Sequence, residues 1–169
     1  GIIDKDFLRK HRFYDTFLHF GIDDEQLAQY FEKHFLDEII NFNELIPQTI
    51  EVLEYLKEKG YQLHVVSNGF HEVTNRKVEK SGLKKYFETV TSAEDAHAMK
   101  PDERIFEYFL NLANAEKSES IFIGDDWVAD VKGAQNFGLD IIFFDALKEN
   151  KTEEGLKTIQ NLEEIKNFL

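Results

Sequence analysis

The feature that most constrains this chain is a set of short apolar runs, each closed by polar or glycine punctuation and separated by helix-like stretches. The runs are 63–66, 87–90, 120–123 and 141–144. Between them, 47–59 carries Ile50, Leu53 and Leu56 on one helical side, with Gly60 just beyond its end. Further helices are expected from about Glu72 to Gly82, over 103–113, and over 127–137 with Gly138 as the stop. A weak last strand is expected near Thr158, before a capped helix from Asn161. Strand and helix alternating through short connections specify a parallel sheet covered on both faces. The expected fold class is therefore α/β, a three-layer Rossmann-like core. In such sheets ligands bind beyond the carboxyl ends of the strands, so the residues after each run are the ones that matter.

Three strand ends carry polar signatures. After 120–123 comes Gly124, then Asp125, Asp126 and Asp130. Asp126 and Asp130 are four apart and share a helix face, where like charges repel modestly. A helix N-cap accounts for one of these carboxylates but not for three. A hard divalent cation would make the cluster favourable, and magnesium takes oxygen ligands. After 63–66 come Ser67, Asn68 and Gly69, a turn signal. A hydroxyl with backbone N–H groups at a helix start forms an anion site; the same residues also suit an ordinary cap or turn. In the loop after 87–90, Lys100 precedes Pro101, which biases the lysine toward extended backbone. An ammonium there would stabilise charge on a phosphoryl group, although a solvated surface lysine has the same local sequence.

Charge narrows the chemistry. The net charge is −13 over 169 residues, a field that repels nucleic-acid backbones and argues against a nucleic-acid partner. The same field repels phosphate esters unless a cation reverses it locally. Phosphate chemistry here therefore implies a metal, expected to be Mg2+. The absence of cysteine excludes disulfides, thiolate-bound zinc and a cysteine nucleophile, and fits a reducing cytoplasm. No apolar run reaches membrane-spanning length.

Taken in order, these strand-end signatures resemble the haloacid dehalogenase superfamily. Its second motif is an apolar strand ending in Ser or Thr, here Val65-Val66-Ser67-Asn68-Gly69; its third is a Lys, often before Pro, here Lys100-Pro101. Its fourth is an apolar strand, Gly-Asp and a later Asp, here 121–123, Gly124, Asp125, Asp126 and Asp130. The likeness runs from about Pro47 to Phe144. It implies a magnesium-dependent phosphatase acting on a small phosphate ester through an aspartyl-phosphate intermediate. Asp125 would hold the metal with Asp126 just outside its direct ligands. Ser67, Asn68 and Gly69 would bind phosphoryl oxygens. Lys100 would neutralise charge in the transition state, and Asp130 would hold Lys100 or order the metal's waters. The dehalogenase branch is disfavoured, since it uses no metal and usually carries Ser-Asn where this chain has Gly124-Asp125-Asp126. Val66 to Phe70, with Gly82-Leu83 and Tyr86-Phe87, looks most like bacterial nucleotidases of pyrimidine 5′-monophosphates. Sugar-phosphate phosphatases and phosphomutases look similar. A non-catalytic phosphate- or partner-binding domain is the alternative of another class.

The family's first motif, Asp-x-Asp, supplies the nucleophile and the general acid and base. Ile2-Ile3-Asp4-Lys5-Asp6 imitates it, but two isoleucines are too short a strand and the segment leads directly into a helix. In that helix Phe7, Leu8, His11, Tyr14, Phe17 and Leu18 recur at helical spacing, with Asp4 as N-cap and Gly21 as stop. Asp23 and Gln26 suggest a capping box for a second helix bearing Leu27, Tyr30, Phe31 and Phe35. The expected division is a partial helical cap over 1–43 and the α/β core over 44–169. Met99 is the only methionine, and the resemblance implies that several tens of residues with the first motif precede residue 1. His11, His19 and Arg76 are candidate substrate contacts for which helix-surface roles are favoured.

Overall fold

The structure is a computed structural model that describes residues 5–169, so Asp4, the expected first cap, lies outside the described residues with Ile2 and Ile3. The chain divides into two compact units between Asn43 and Glu44.

The first unit contains α1 (Lys5–His19) and α2 (Glu25–Ile39). Aromatic packing joins them: Phe17 meets Phe31 edge-on at 5.3 Å and Phe13 meets Phe35 at 5.5 Å between ring centroids. Glu32 lies 3.6 Å from Arg9 and 3.9 Å from Arg12. Gly21, at φ 77°, provides the left-handed turn that ends α1. The cap of α2 is Asp24 rather than the expected Asp23. Asp24 has the extended backbone a cap needs, and its carboxylate accepts the Leu27 N–H at 2.9 Å. Asp23 instead accepts the Tyr14 hydroxyl at 2.8 Å.

The second unit alternates helices and strands in the expected order: α3 (Thr49–Glu58), β1 (His64–Ser67), α4 (His71–Lys80), β2 (Thr89–Ser92), α5 (Ala93–Ala96), α6 (Glu103–Ala113), β3 (Ile121–Gly124), α7 (Gly133–Phe137), β4 (Asp140–Phe144) and β5 (Lys157–Ile159). All pairings are parallel. β1 pairs with β2, with Ser67 opposite Ser92. β3 pairs with β4, and β4 with β5. The single expected sheet is thus divided by its hydrogen bonds into two groups. Among the described residues β1 pairs only with β2 and β3 only with β4, so each leaves one edge without a partner strand.

β4 explains the layering. Ile141 and Phe143 face a core built with Ile105, Phe106, Phe109 and Leu110 of α6. Ile142 and Phe144 face a second core built with Val52 and Leu56 of α3 and with Ile159 and Ile165. Successive strand residues point to opposite faces, so an unbroken apolar run means burial on both.

Three local expectations are corrected. Residues 84–86 form a 3-10 turn that buries Tyr86, which moves β2 two residues along onto the β-branched Thr89-Val90-Thr91. The helix expected over 127–137 begins as a π-helical segment, Trp127–Lys132, because the Asp126 carbonyl accepts N–H bonds from both Asp130 and Val131. The capped helix expected from Asn161 is a 3-10 helix, Leu162–Asn167; the Asn161 side chain donates to Glu164 and leaves the cap unmade.

Phe106 is fully buried and touches the rings of Phe109, Phe122 and Phe137. Phe106→Ala should cost about 3–5 kcal/mol, read as a lowered midpoint in urea unfolding with an unchanged slope.

Candidate functional site

The carboxyl ends of β1 and β3, together with the loop after α5, bring the predicted residues into one bonded group. Lys100 lies at its centre. Its ammonium donates to Asp130 Oδ1 at 2.6 Å and to the Val66 carbonyl at 3.2 Å. It also lies 5.5 Å from the centroid of the Phe122 ring. The side chains of Lys100 and Asp130 are only 12% and 4% exposed, so this is a buried ion pair and not the alternative of a solvated surface lysine. Breaking such a pair by removing one partner is strongly destabilising, because the other charge stays buried.

Asp130 has a second task. Its Oδ2 accepts the backbone N–H of Asp125 at 3.1 Å and of Asp126 at 3.0 Å. The π-helical turn brings Asp130 back over the strand end, and Gly124 leaves room for it. A Cβ on Gly124 would lie 2.4 Å from the Asp130 Cβ and 2.5 Å from its Oδ2. Glycine at the end of this strand is therefore a steric requirement of the later Asp.

The acidic trio separates into three roles. Asp130 is committed to Lys100 and to the loop. Asp126 caps the turn that follows: its Oδ1 accepts the N–H groups of Val128 at 2.8 Å and Ala129 at 2.7 Å. Those bonds, the one from Ala129 first, outweigh burial and with nearby Lys100 hold its carboxyl below the usual carboxylate range. Asp125 is exposed, and its carboxylate makes no hydrogen bond or ion pair among the described residues. No group of three or more His, Cys, Asp or Glu capable of holding a metal occurs among the described residues. Among the described residues of this strand end, the Asp125 carboxylate is the oxygen donor left to a cation. That donor fits magnesium, which commonly takes one or two carboxylates and completes its shell with water and substrate phosphate.

Ser67 closes β1 directly after Val66, whose carbonyl Lys100 bonds. Its Oγ accepts the Gly69 N–H at 3.0 Å and the Thr74 hydroxyl at 3.4 Å. Because Oγ is the acceptor in both, its own proton remains to be donated to an anion. A Cβ on Gly69 would meet Thr74 Oγ1 at 2.8 Å, so glycine lets this loop close onto α4. The Asn68 carboxamide is engaged with Lys100: Oδ1 accepts the Lys100 N–H at 2.7 Å and Nδ2 donates to the Lys100 carbonyl at 3.0 Å.

Sequence reasoning missed some strand-end groups. Asp145 follows β4, is buried, and accepts the N–H groups of Glu149 and Asn150. It was as readable as the other strand-end acids. His71 bonds Asp95 at 2.7 Å, and Asp95 forms a capping box with Ser92 at the end of β2. Ser-x-x-Asp carries that signal. Among the candidate contacts, His11 pairs with Asp15 and Arg76 with Glu72, each one helical turn away, while His19 lies edge-on to Phe20.

The fold and this strand-end group define an α/β chain of the Rossmann-like class with a polar cluster at its strand ends. The sequence profile of the haloacid dehalogenase-like hydrolases matches residues 6–144, and the chain belongs to that family. It is 30% identical over 145 residues to the pyrimidine 5′-nucleotidase PynA of Streptococcus pneumoniae, covering 84% of this chain and 60% of that protein. It is 32% identical over 111 residues to the ribulose-1,5-bisphosphate 5-phosphatase of Halopiger xanaduensis, covering 66% and 46%. The chain thus spans about half of the length of the curated relatives it matches. Its fold is that of the HAD-hydrolase YfnB of Bacillus subtilis, solved bound to magnesium: the TM-score is 0.87 at 23% identity, over 100% of this chain and 74% of that one.

Two outcomes follow. Gly124→Ala should displace Asp130 and expose Lys100, seen as faster amine labelling of Lys100 than in the unsubstituted protein. Asp126→Ala should cost about 1 kcal/mol of stability near neutral pH, as for other caps. A carboxyl with a lowered folded-state pKa stabilises above its unfolded pKa and loses that effect as pH falls through the folded value. The difference between Asp126→Ala and the unsubstituted protein in urea unfolding should therefore vanish below the usual carboxylate range.

Proposed function

We propose that this chain belongs to a magnesium-dependent phosphatase of small phosphomonoesters, with a nucleoside 5′-monophosphate as the favoured substrate. The observation that carries this reading is the Lys100 ammonium, fixed between Asp130 and the carbonyl of Val66, the strand residue that precedes Ser67. The relatives add support: a pyrimidine 5′-nucleotidase, a sugar-bisphosphate phosphatase and a pyrophosphatase all match at about 30% identity. The nucleotide preference rests on PynA and on YjjG, also a pyrimidine 5′-nucleotidase, and on the likeness of the Val66-to-Phe70 stretch.

In this reading each described residue has a physical task. The phosphoryl group sits beyond the carboxyl ends of β1 and β3. Ser67 donates its hydroxyl proton to one phosphoryl oxygen, while the Gly69 N–H bonded to Ser67 Oγ steadies that hydroxyl. The Lys100 ammonium faces the charge that accumulates as the ester bond breaks, and Asp130 fixes the direction of that ammonium. Asp125 offers an oxygen to the metal. Magnesium, when bound, supplies the positive charge that lets a dianionic ester approach an acidic protein. The nucleophile is the first Asp of an Asp-x-Asp segment outside this sequence. It displaces the alcohol to give an aspartyl phosphate, and water then releases inorganic phosphate and restores the carboxylate. Residues 1–43 are part of the family's substrate-selecting cap. No helix among the described residues is long and apolar enough to cross a membrane.

The test is a phosphate-ester screen on the full-length protein with and without magnesium. Release of inorganic phosphate, fastest from pyrimidine 5′-monophosphates and lost with chelator, is expected. Asp125→Ala and Lys100→Ala should each lower turnover by about 100-fold or more. The 169-residue chain alone should show no turnover above its Lys100→Ala control. Binding of phosphate esters without release would favour the non-catalytic reading instead.

A further inference from the structure

Asn68 stands in the anion-binding loop next to Ser67, a position that suggests a direct phosphate ligand. Its side chain does something else. Both polar atoms of the carboxamide are spent on one residue 32 positions away: Oδ1 accepts the Lys100 N–H at 2.7 Å, and Nδ2 donates to the Lys100 carbonyl at 3.0 Å. Few side chains can do this. The task needs one acceptor and one donor in a plane, and the amide is the short side chain that has both.

We infer that Asn68 is a positioning residue that sets the Lys100 ammonium by clamping the Lys100 backbone from the phosphate loop. The inference rests on the proposed phosphatase reading for its catalytic meaning and on geometry alone for the clamp. Lys100 is fixed at two ends. Its backbone is held by Asn68, and its ammonium is held by Asp130 and by Val66 of the strand that leads into Asn68. A lysine side chain has four rotatable bonds and high rotamer entropy, so an ion pair alone fixes its head poorly unless its stem starts from a fixed point. The clamp supplies that point. It also ties the Lys100 backbone to the loop that carries Ser67. Misplacing a catalytic group by about an ångström costs on the order of 100-fold in rate.

The role separates from direct anion binding by its kinetic signature. In the full-length protein, with p-nitrophenyl phosphate and magnesium, Asn68→Ala should lower kcat by about 10- to 100-fold while KM changes less than about threefold. Asn68→Asp keeps the acceptor for the Lys100 N–H but opposes the Lys100 carbonyl, and should recover part of that loss. Asn75→Ala, at a half-buried α4 position whose side chain bonds the His71 carbonyl of its own helix, should behave as the unsubstituted protein does. A kcat within twofold of the unsubstituted protein, or a loss carried wholly by KM, would overturn the inference. A second measurement needs no turnover. Amine labelling of Lys100, read by peptide mass spectrometry, should be several-fold faster in Asn68→Ala than in Asn75→Ala. Equal labelling overturns the clamp. If the unsubstituted protein hydrolyses no ester, the functional reading fails while the labelling comparison still decides the clamp.

Discussion

The ion pair between Lys100 and Asp130 holds the strand-end site together. It is buried, it crosses from the loop after α5 to the turn after β3, and each partner is tied further to backbone. Lys100 reaches the Val66 carbonyl; Asp130 gathers the N–H groups of Asp125 and Asp126. Two strand ends that share no hydrogen-bonded ladder are thereby linked by side-chain bonds. A buried pair of this kind gives little net stability compared with apolar packing. What it gives is position, since neither charge can move without leaving the other unpaired in a poorly hydrated setting.

That constraint reaches back into the fold. Asp130 lies over β3 only because the first turn after the strand is π-helical and because residue 124 has no side chain. A regular α-helical turn would present Asp126 and Asp130 side by side on one face, as the sequence spacing suggests. The wider turn instead separates them, one capping and one turned inward. Asp125 is left outward with its carboxylate unengaged among the described residues.

The architecture was legible where periodicity is strong. Ile141 to Phe144 reads as a strand buried on both faces, and both cores confirm it. The slip of β2 was not legible, because Tyr86 and Phe87 are as apolar as any strand residue; the burial of Tyr86 in a 3-10 turn decides the matter. At the site, residue types were readable but their assignments were not. Three acids within six residues suggest three groups facing one cation. Backbone N–H groups claim two of them, and the positions of those N–H groups are invisible before the turn geometry is known. The Asn68 carboxamide was hidden for a similar reason: its partner lies in a loop 32 residues on, and only the fold brings the two together.

Charge balance explains why this arrangement, read as a phosphatase, calls for a divalent cation. Lys100 and Asp130 cancel, so the fixed site contributes the negative charges of Asp125 and Asp126 and a set of hydrogen-bond donors. A phosphomonoester dianion entering such a site would face net repulsion, deepened by an overall charge of −13. Donors such as the Ser67 hydroxyl orient phosphoryl oxygens but carry no net charge to offset it. A divalent cation on the Asp125 carboxylate reverses the local sign. It would do so at a carboxylate that makes no hydrogen bond or ion pair among the described residues. In this reading the two cations would divide the work: the ammonium, already neutralised by Asp130, orients the phosphoryl group, and the divalent ion supplies the net positive charge.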